Sequence, residues 1–164
     1  MKCDSKLETN LSFKTKFKIW IDADACPKVI KEHIFKVSQR IQCPVTLVAN
    51  SMMFYPPSPL INLVKVNKNL DAADHYIVEH VDTNDLVITA DVPLASLVVQ
   101  KGALVIDVRG EIYSEDNIQE RLSMRDFLKT MRDEGMQLGG PNIFNEKDRI
   151  QFMNSLNKIL DKKK

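Results

Sequence analysis

Short, nearly uninterrupted apolar runs alternate with amphipathic stretches along this chain. Phe17–Asp22, Val45–Ala49, Leu63–Val66, Asp85–Ala90 and Ala103–Val108 are rich in Val, Ile and Leu and have strand length. In the first run, Phe-Lys-Ile-Trp-Ile-Asp, Lys18 alone interrupts the apolar character, as in a strand covered on both faces. The intervening stretches carry helical spacing. Pro27 suits a first turn, and a helix is predicted from Pro27 to Ile41, with Val29, Ile30, Ile34 and Val37 on one stripe. Pro44 ends that stretch, and Asn50–Pro59 reads as a loop rich in proline and aromatic residues. A second helix is predicted over Ala72–Val81 with Asp71 as N-cap, and a third over Pro93–Gln100, stopped by Gly102. A fourth runs over Glu115–Asp133, with Ser114 as cap and Gly135 at its close. After a loop with Gly139-Gly140-Pro141, a last helix over Asn145–Asp161 turns Ile150, Met153, Leu156 and Leu160 inward.

Strands alternating with helices predict an α/β fold: a mainly parallel sheet with helices on both faces. In such sheets, sites form beyond the carboxyl ends of the strands, where the strand order reverses. The chain has 164 residues, which suits one domain over residues 17–162. Residues 1–16 are polar, lack periodicity and read as a flexible extension.

Composition narrows the function classes. A net charge of +1 gives no global field for nucleic acid, so any such binding needs a local basic patch. No apolar run approaches membrane-spanning length, and the N-terminus lacks the apolar core of a secretory signal. No membrane partner and a cytoplasmic location are therefore expected. Cys3, Cys26 and Cys43 have neither the number nor the spacing of a disulfide framework or a structural zinc site. His33, His75 and His80 are too scattered for a His-based metal site.

Five aspartates at three places carry the candidate chemistry. Asp22 and Asp24 follow the first apolar run, Asp91 follows the fourth, and Asp71 and Asp74 open the helix before that fourth run. Burying a carboxylate without a partner costs several kcal/mol (~2–7). If these acids converge, their repulsion needs a cation, and an all-oxygen set suits Mg²⁺ or Mn²⁺. Each acid also has a plainer reading. Asp24 caps the next helix, Asp71 and Asp74 favour a helix dipole, and Asp91 belongs to a turn before Pro93. Asp85, at the amino end of its strand, is read as structural.

Other residues are weaker candidates. Thr89 is placed to bond a carboxylate or water. Cys26 at a helix start would be a nucleophile only with a base that the local sequence does not supply. His75 beside Asp74 is read as a proton shuttle or an exposed helix residue. Arg109, Arg121, Arg125, Arg132 and Arg149 are read as phosphate contacts or as a solvated helix face. Met52-Met53-Phe54-Tyr55 is read as a base-stacking loop or a lid over the core.

Together these residues resemble a bacterial family. Ile19–Pro27 (IWIDADACP), Val48-Ala49-Asn50, Asp71–Asp74 (DAAD), Asp85–Ala95 (DLVITADVPLA), Lys101-Gly102-Ala103, Arg109-Gly110 and Gly140-Pro141 are similar to the YaiI/YqxD family, also called UPF0178 or DUF188. The resemblance covers roughly residues 17–160, and DADACP followed by TADVPLA is its most specific part. The family resembles the PIN-like superfamily. That implies a three-layer α/β/α fold with a five-stranded, mainly parallel sheet of order 3-2-1-4-5. It also implies a metal-dependent nuclease with Asp22, Asp91 and either Asp71 or Asp74 as its acids. Within that set we take Asp22, Asp74 and Asp91 as catalytic, with Asp24 and Asp71 as further Mg²⁺ or Mn²⁺ ligands. Asn50, Thr89, Arg109 and Arg125 are the candidate substrate contacts, and the expected substrate is RNA. The polar extension departs from the family pattern, whose members usually begin almost at the first strand.

Two rival readings stand beside the nuclease. A phosphatase of the haloacid-dehalogenase type also places DxD after its first strand, with the first aspartate as nucleophile. Here Cys26 occupies a position where that motif carries Thr or Val, and no partner lysine is evident in the sequence. The other rival is a nucleic-acid- or protein-binding module whose acidic cluster has no catalytic role.

Overall fold

Residues 15–69, 71–140 and 143–163 are described in a computed structural model of the chain. Most of the predicted extension, residues 1–14, lies outside the described residues, as does Pro141 of the glycine-rich loop. Six strands form one sheet: β1 (Ile19–Asp22), β2 (Val45–Ala49), β3 (Ile61–Lys65), β4 (Leu86–Ile88), β5 (Leu104–Ile106) and β6 (Ile112–Tyr113). Their order is β3-β2-β1-β4-β5-β6. The first five run parallel, in the predicted order. The helices are α1 (Lys28–Ile41), α2 (Ala72–His80), α3 (Val92–Gln100), α4 (Ile118–Asp133) and α5 (Glu146–Lys162).

Side chains alternate between the two faces of each strand, and this divides the core in two. Ile19 and Ile21 of β1 point into a cluster with Ile30 and Ile34 of α1 and Phe152 and Leu156 of α5. Trp20, between them, points the other way, toward Ile77 of α2, Leu94 and Val98 of α3 and Ile118 of α4. Leu86 and Ile88 of β4 share the first side and Val87 the second. The result is the three-layer α/β/α sandwich.

Four sequence expectations need correction. The sheet has a sixth strand. Asp107 Oδ1 accepts from the backbone N–H groups of Arg109 (2.8 Å) and Glu111 (3.0 Å), and the chain reverses so that β6 pairs antiparallel with β5. Gly110 makes that reversal at φ +94°, and a Cβ there would meet the Gln151 carbonyl carbon and oxygen at 2.6 Å. Arg109-Gly110 is thus turn chemistry. In α4, Ser114 makes no side-chain cap. Asn117 Oδ1 instead accepts from the Ser114 N–H (2.8 Å), and the helix begins at Ile118. Ile150 is 47% exposed and Val29 38% exposed. The inward stripe of α5 is Phe152, Leu156, Ile159 and Leu160, which keeps the 3.6-residue period about two residues later than Ile150.

Asp85 ties the amino ends of β1 and β4 together. It is 2% exposed and accepts from the Lys18 N–H (2.9 Å), the Trp20 indole (3.0 Å) and the Asp82 N–H (2.9 Å). Asp85→Ala leaves these donors without their acceptor. The expected loss is about 3 kcal/mol of unfolding free energy, by the cost of orphaned donors to a charged acceptor. Urea unfolding checks it, and a loss below ~1 kcal/mol would show that the tie is dispensable.

Candidate active site at the carboxyl edge of the sheet

The chain winds from β1 outward to β3, then returns to the other side of β1 to form β4. The β1–β4 boundary is therefore where strand order reverses, and a crevice opens beyond it. A cavity of about 270 Å³ lies there. Its wall contains Asp22, Asp24, Asp71, Asp74 and Asp91, so carboxylates from all three predicted places meet one space. Asn50 from the β2 exit is also in the wall, as are Asn67, Lys68 and Asn69 from the β3 exit.

Asp22 ends β1 half-buried, and its Oδ2 accepts from the Thr89 hydroxyl at 3.0 Å. Thr89 is 1% exposed, and its Oγ1 accepts in turn from the Asp91 N–H at 3.0 Å. One hydroxyl therefore sets the orientation of Asp22 and the backbone of Asp91. Asp91 caps α3, its Oδ1 accepting from the Leu94 N–H at 3.0 Å. Asp91, read from sequence as turn chemistry or a site residue, is thus a helix cap whose carboxyl group also lines the cavity. Asp24 stands in a 3-10 turn, Ala23–Ala25, and does not cap α1; Pro27 occupies that position without a side-chain bond. Both Asp24 oxygens accept across the crevice, from the Asn50 N–H (2.8 Å) and the Ser51 hydroxyl (3.2 Å). Asp71 occupies the N-cap position of α2 in a left-handed conformation, φ +69°, without the expected side-chain cap bond.

Crowding shows in the protonation equilibria. Burial pushes the Asp74 carboxyl up to about 6, and the neighbouring Asp91, Asp22 and Asp71 carboxylates add to the rise, with His75 opposing. Burial also raises Asp22, with Asp91 and Asp24 contributing and the Thr89 hydrogen bond opposing. The donor set fits a hard divalent cation in kind: it is all oxygen, with excess negative charge. Among the described residues, the second oxygens of Asp22 and Asp91 and the Asp74 carboxyl make no hydrogen bond. Side-chain placement does not yet amount to a coordination sphere, since no three acidic, His or Cys groups of the described residues stand together as ligands of one ion.

Not every candidate comes to the cavity. Arg109 is absent from its wall, and its guanidinium pairs with Asp148 at 2.6 Å. Arg125 lies on α4 beside Asp126, 3.3 Å away, also outside the wall. His75 is exposed on α2 and outside the wall too. Cys26 is buried, and burial pushes its thiol up to about 12, so it is not a thiolate at neutral pH. Lys68, Asn67 and Asn69 are not apparent as site residues from sequence. Their one signal is position, a short polar run just after a parallel strand.

Comparison with known proteins places these features in a wider set. Residues 20–162 match the DUF188 family model, described as "Uncharacterized BCR, YaiI/YqxD family". A UPF0178 protein of Shewanella baltica (strain OS155) is 51% identical over 144 residues, covering 88% of this chain and 96% of that one. A UPF0178 protein of Bordetella petrii is 53% identical over 142 residues, covering 87% and 95% respectively. Among solved structures, the homospermidine synthase of Legionella pneumophila in complex with NAD aligns at a TM-score of 0.44 and 15% identity, over 79% of this chain and 37% of that one. A likeness that distant carries no argument.

Because Asp74 binds its proton more tightly folded than unfolded, its charge opposes folding at neutral pH. The penalty is absent below the unfolded value near 4, grows as pH rises toward about 6, and is constant above. Asp74→Asn is expected to raise unfolding free energy by ~1 kcal/mol at pH 7.5 in EDTA, screening included, and by nothing at pH 4. Melting curves of both proteins across this range check it; an equal gap at both pH values would assign the effect to packing.

Proposed function

The chain belongs to the YaiI/YqxD family, and we propose that it is a divalent-metal-dependent nuclease that hydrolyses phosphodiester bonds of RNA. The observation that carries this reading is the cavity at the β1–β4 boundary, with Asp22, Asp24, Asp71, Asp74 and Asp91 in its wall. Asp22, Asp74 and Asp91 would hold Mg²⁺ or Mn²⁺, with Asp71 at the rim. When bound, such an ion supplies Lewis acidity, making water a nucleophile near neutral pH and offsetting charge on the phosphoryl oxygens.

The protein's own groups divide the remaining work. Thr89 fixes one Asp22 oxygen, so the other stays directed by a locked carboxyl plane. Asp24 braces the β2 exit through Asn50 and Ser51, which keeps the far wall at a set distance from β1. Lys68 supplies positive charge for a substrate phosphate, and the Asn50, Asn67 and Asn69 amides offer neutral donors. A wall so acidic repels a phosphate entering this cavity in the absence of a cation, which couples entry of the scissile phosphate to metal binding.

One observation favours a second reading. Lys68 in the wall supplies a lysine of the kind a haloacid-dehalogenase-type phosphatase pairs with its nucleophilic aspartate, here Asp22. Fluoroberyllate binding at Asp22 separates the two: an aspartyl-fluoroberyllate adduct supports the phosphatase, and its absence supports the nuclease.

The decisive assay incubates labelled single-stranded RNA with purified protein and Mn²⁺. Wild type should cleave, EDTA should stop it, and Asp22→Asn or Asp91→Asn should slow it by about 100-fold or more, ~3 kcal/mol of barrier. Equal cleavage by wild type and both variants would trace the activity to a contaminant and sink the nuclease reading.

A further inference from the structure

A second and larger cavity, about 760 Å³, lies between α1 and the loop Asn50–Pro59. Its apolar lining is Phe35 of α1 and Met53, Phe54 and Pro56 of the loop. Phe54 is 88% exposed, so its ring adds almost nothing to the core. Along the α1 side run Lys28, Lys31 and Lys36, opposed among the lining residues by a single acid, Glu32, which sits 3.8 Å from Lys28. Lys31 Nζ lies 3.6 Å from Met53 Sδ, which places one ammonium group beside the apolar lining. A chain of net charge +1 thus places three lysines and one acid along a groove that two phenylalanines also line.

This groove and the aspartate cavity have separate linings, joined along the chain by the loop that begins at Asn50. Asp24 pins the base of the loop through Asn50 and Ser51, and Asp24 and Asn50 line the aspartate cavity. Phe54 follows Asn50 by four residues, a chain reach of no more than about 14 Å. Lys28 opens α1 four residues after Asp24.

We propose that this groove binds single-stranded RNA and leads it to the aspartate cavity. A base stacks on Phe54 with Met53 and Phe35 beneath it, and successive phosphates pair with Lys28, Lys31 and Lys36. The pattern of cations beside an exposed ring selects this occupant. A single strand offers both an open base face and evenly spaced charge, whereas a duplex hides its base faces. An acidic peptide would use the lysines and leave Phe54 in water. An apolar helix would set three ammonium groups against hydrocarbon. The inference deepens the nuclease reading and rests on it for the direction of the strand, while binding itself is measured without catalysis.

The test uses the full chain and a fluorescein-labelled ten-nucleotide uridine RNA in EDTA, read by fluorescence anisotropy. Three phosphate contacts predict a slope of log affinity against log salt of about −2. Phe54→Ala should weaken binding by ~10-fold, the scale of one lost base stack. Lys36→Glu should weaken it and flatten the salt slope by about 0.7 or more. Phe54→Trp should retain affinity, with its indole emission quenched as RNA is added. The same strand annealed to its adenosine complement should bind more weakly. Wild-type affinity in Phe54→Ala would overturn the proposal, as would displacement of the RNA by an equimolar oligoglutamate peptide or equal binding of the duplex. The Asp22→Asn/Asp91→Asn protein keeps the two readings apart. If the groove variants weaken binding but wild type never cleaves in Mn²⁺, the groove stands and the nuclease falls. If cleavage needs Asp22 but affinity is indifferent to Phe54, the nuclease stands and the groove falls.

Discussion

β1 and β4 pair in parallel with Ile19 opposite Leu86, Trp20 opposite Val87 and Ile21 opposite Ile88, and the acidic end of the molecule depends on that register. Carried one step further, it sets Asp22 opposite Thr89, which accounts for the 3.0 Å bond between them. A slip of one residue would turn Ile19 and Ile21 from one helical layer to the other and carry Asp22 away from Thr89. Two devices hold the register. Asp85 binds the amino ends together, and the two core clusters demand opposite faces of alternate residues.

The carboxyl edge works against the rest of the fold. Asp22 and Asp74 are each raised by burial and by other acids, so folding gathers charges that repel one another. The opposing free energy comes from the apolar layers, where β1, β4 and the inward stripes of α1, α3 and α5 are almost wholly buried. Local bonds then choose which oxygens remain uncommitted. Thr89 takes one from Asp22, the start of α3 takes one from Asp91, and the β2 exit takes both from Asp24. Asp24 thus ties the turn after β1 to the β2 exit.

Much of this is legible in the sequence, for identifiable reasons. A strand buried on both faces leaves a continuous apolar run, so β1, β2, β4 and β5 can be read directly. Aspartates just past such runs fall at the carboxyl edge by geometry alone, and Asp22 and Asp91 do so. β6 is not legible because two residues make no pattern; it exists through the Asp107 turn and its pairing to β5. Arg109 looks like a phosphate ligand because its partner, Asp148, lies 39 residues on. Cys26 looks available at a helix start because burial of a thiol under neighbouring layers has no local signature.

The order of apolar runs and amphipathic helices, read by itself, determined the layered architecture and put two acidic places at strand ends and a third at a helix start, because periodicity encodes which faces are covered. Only the tertiary structure decided which groups share a space. Lys68 joined the aspartates, Arg109 and Arg125 were directed elsewhere, and lysines on α1 came to line one groove with Phe54 of the loop after β2. Those outcomes depend on strand order and helix placement, which bring together residues far apart in the chain, and no local spacing records them.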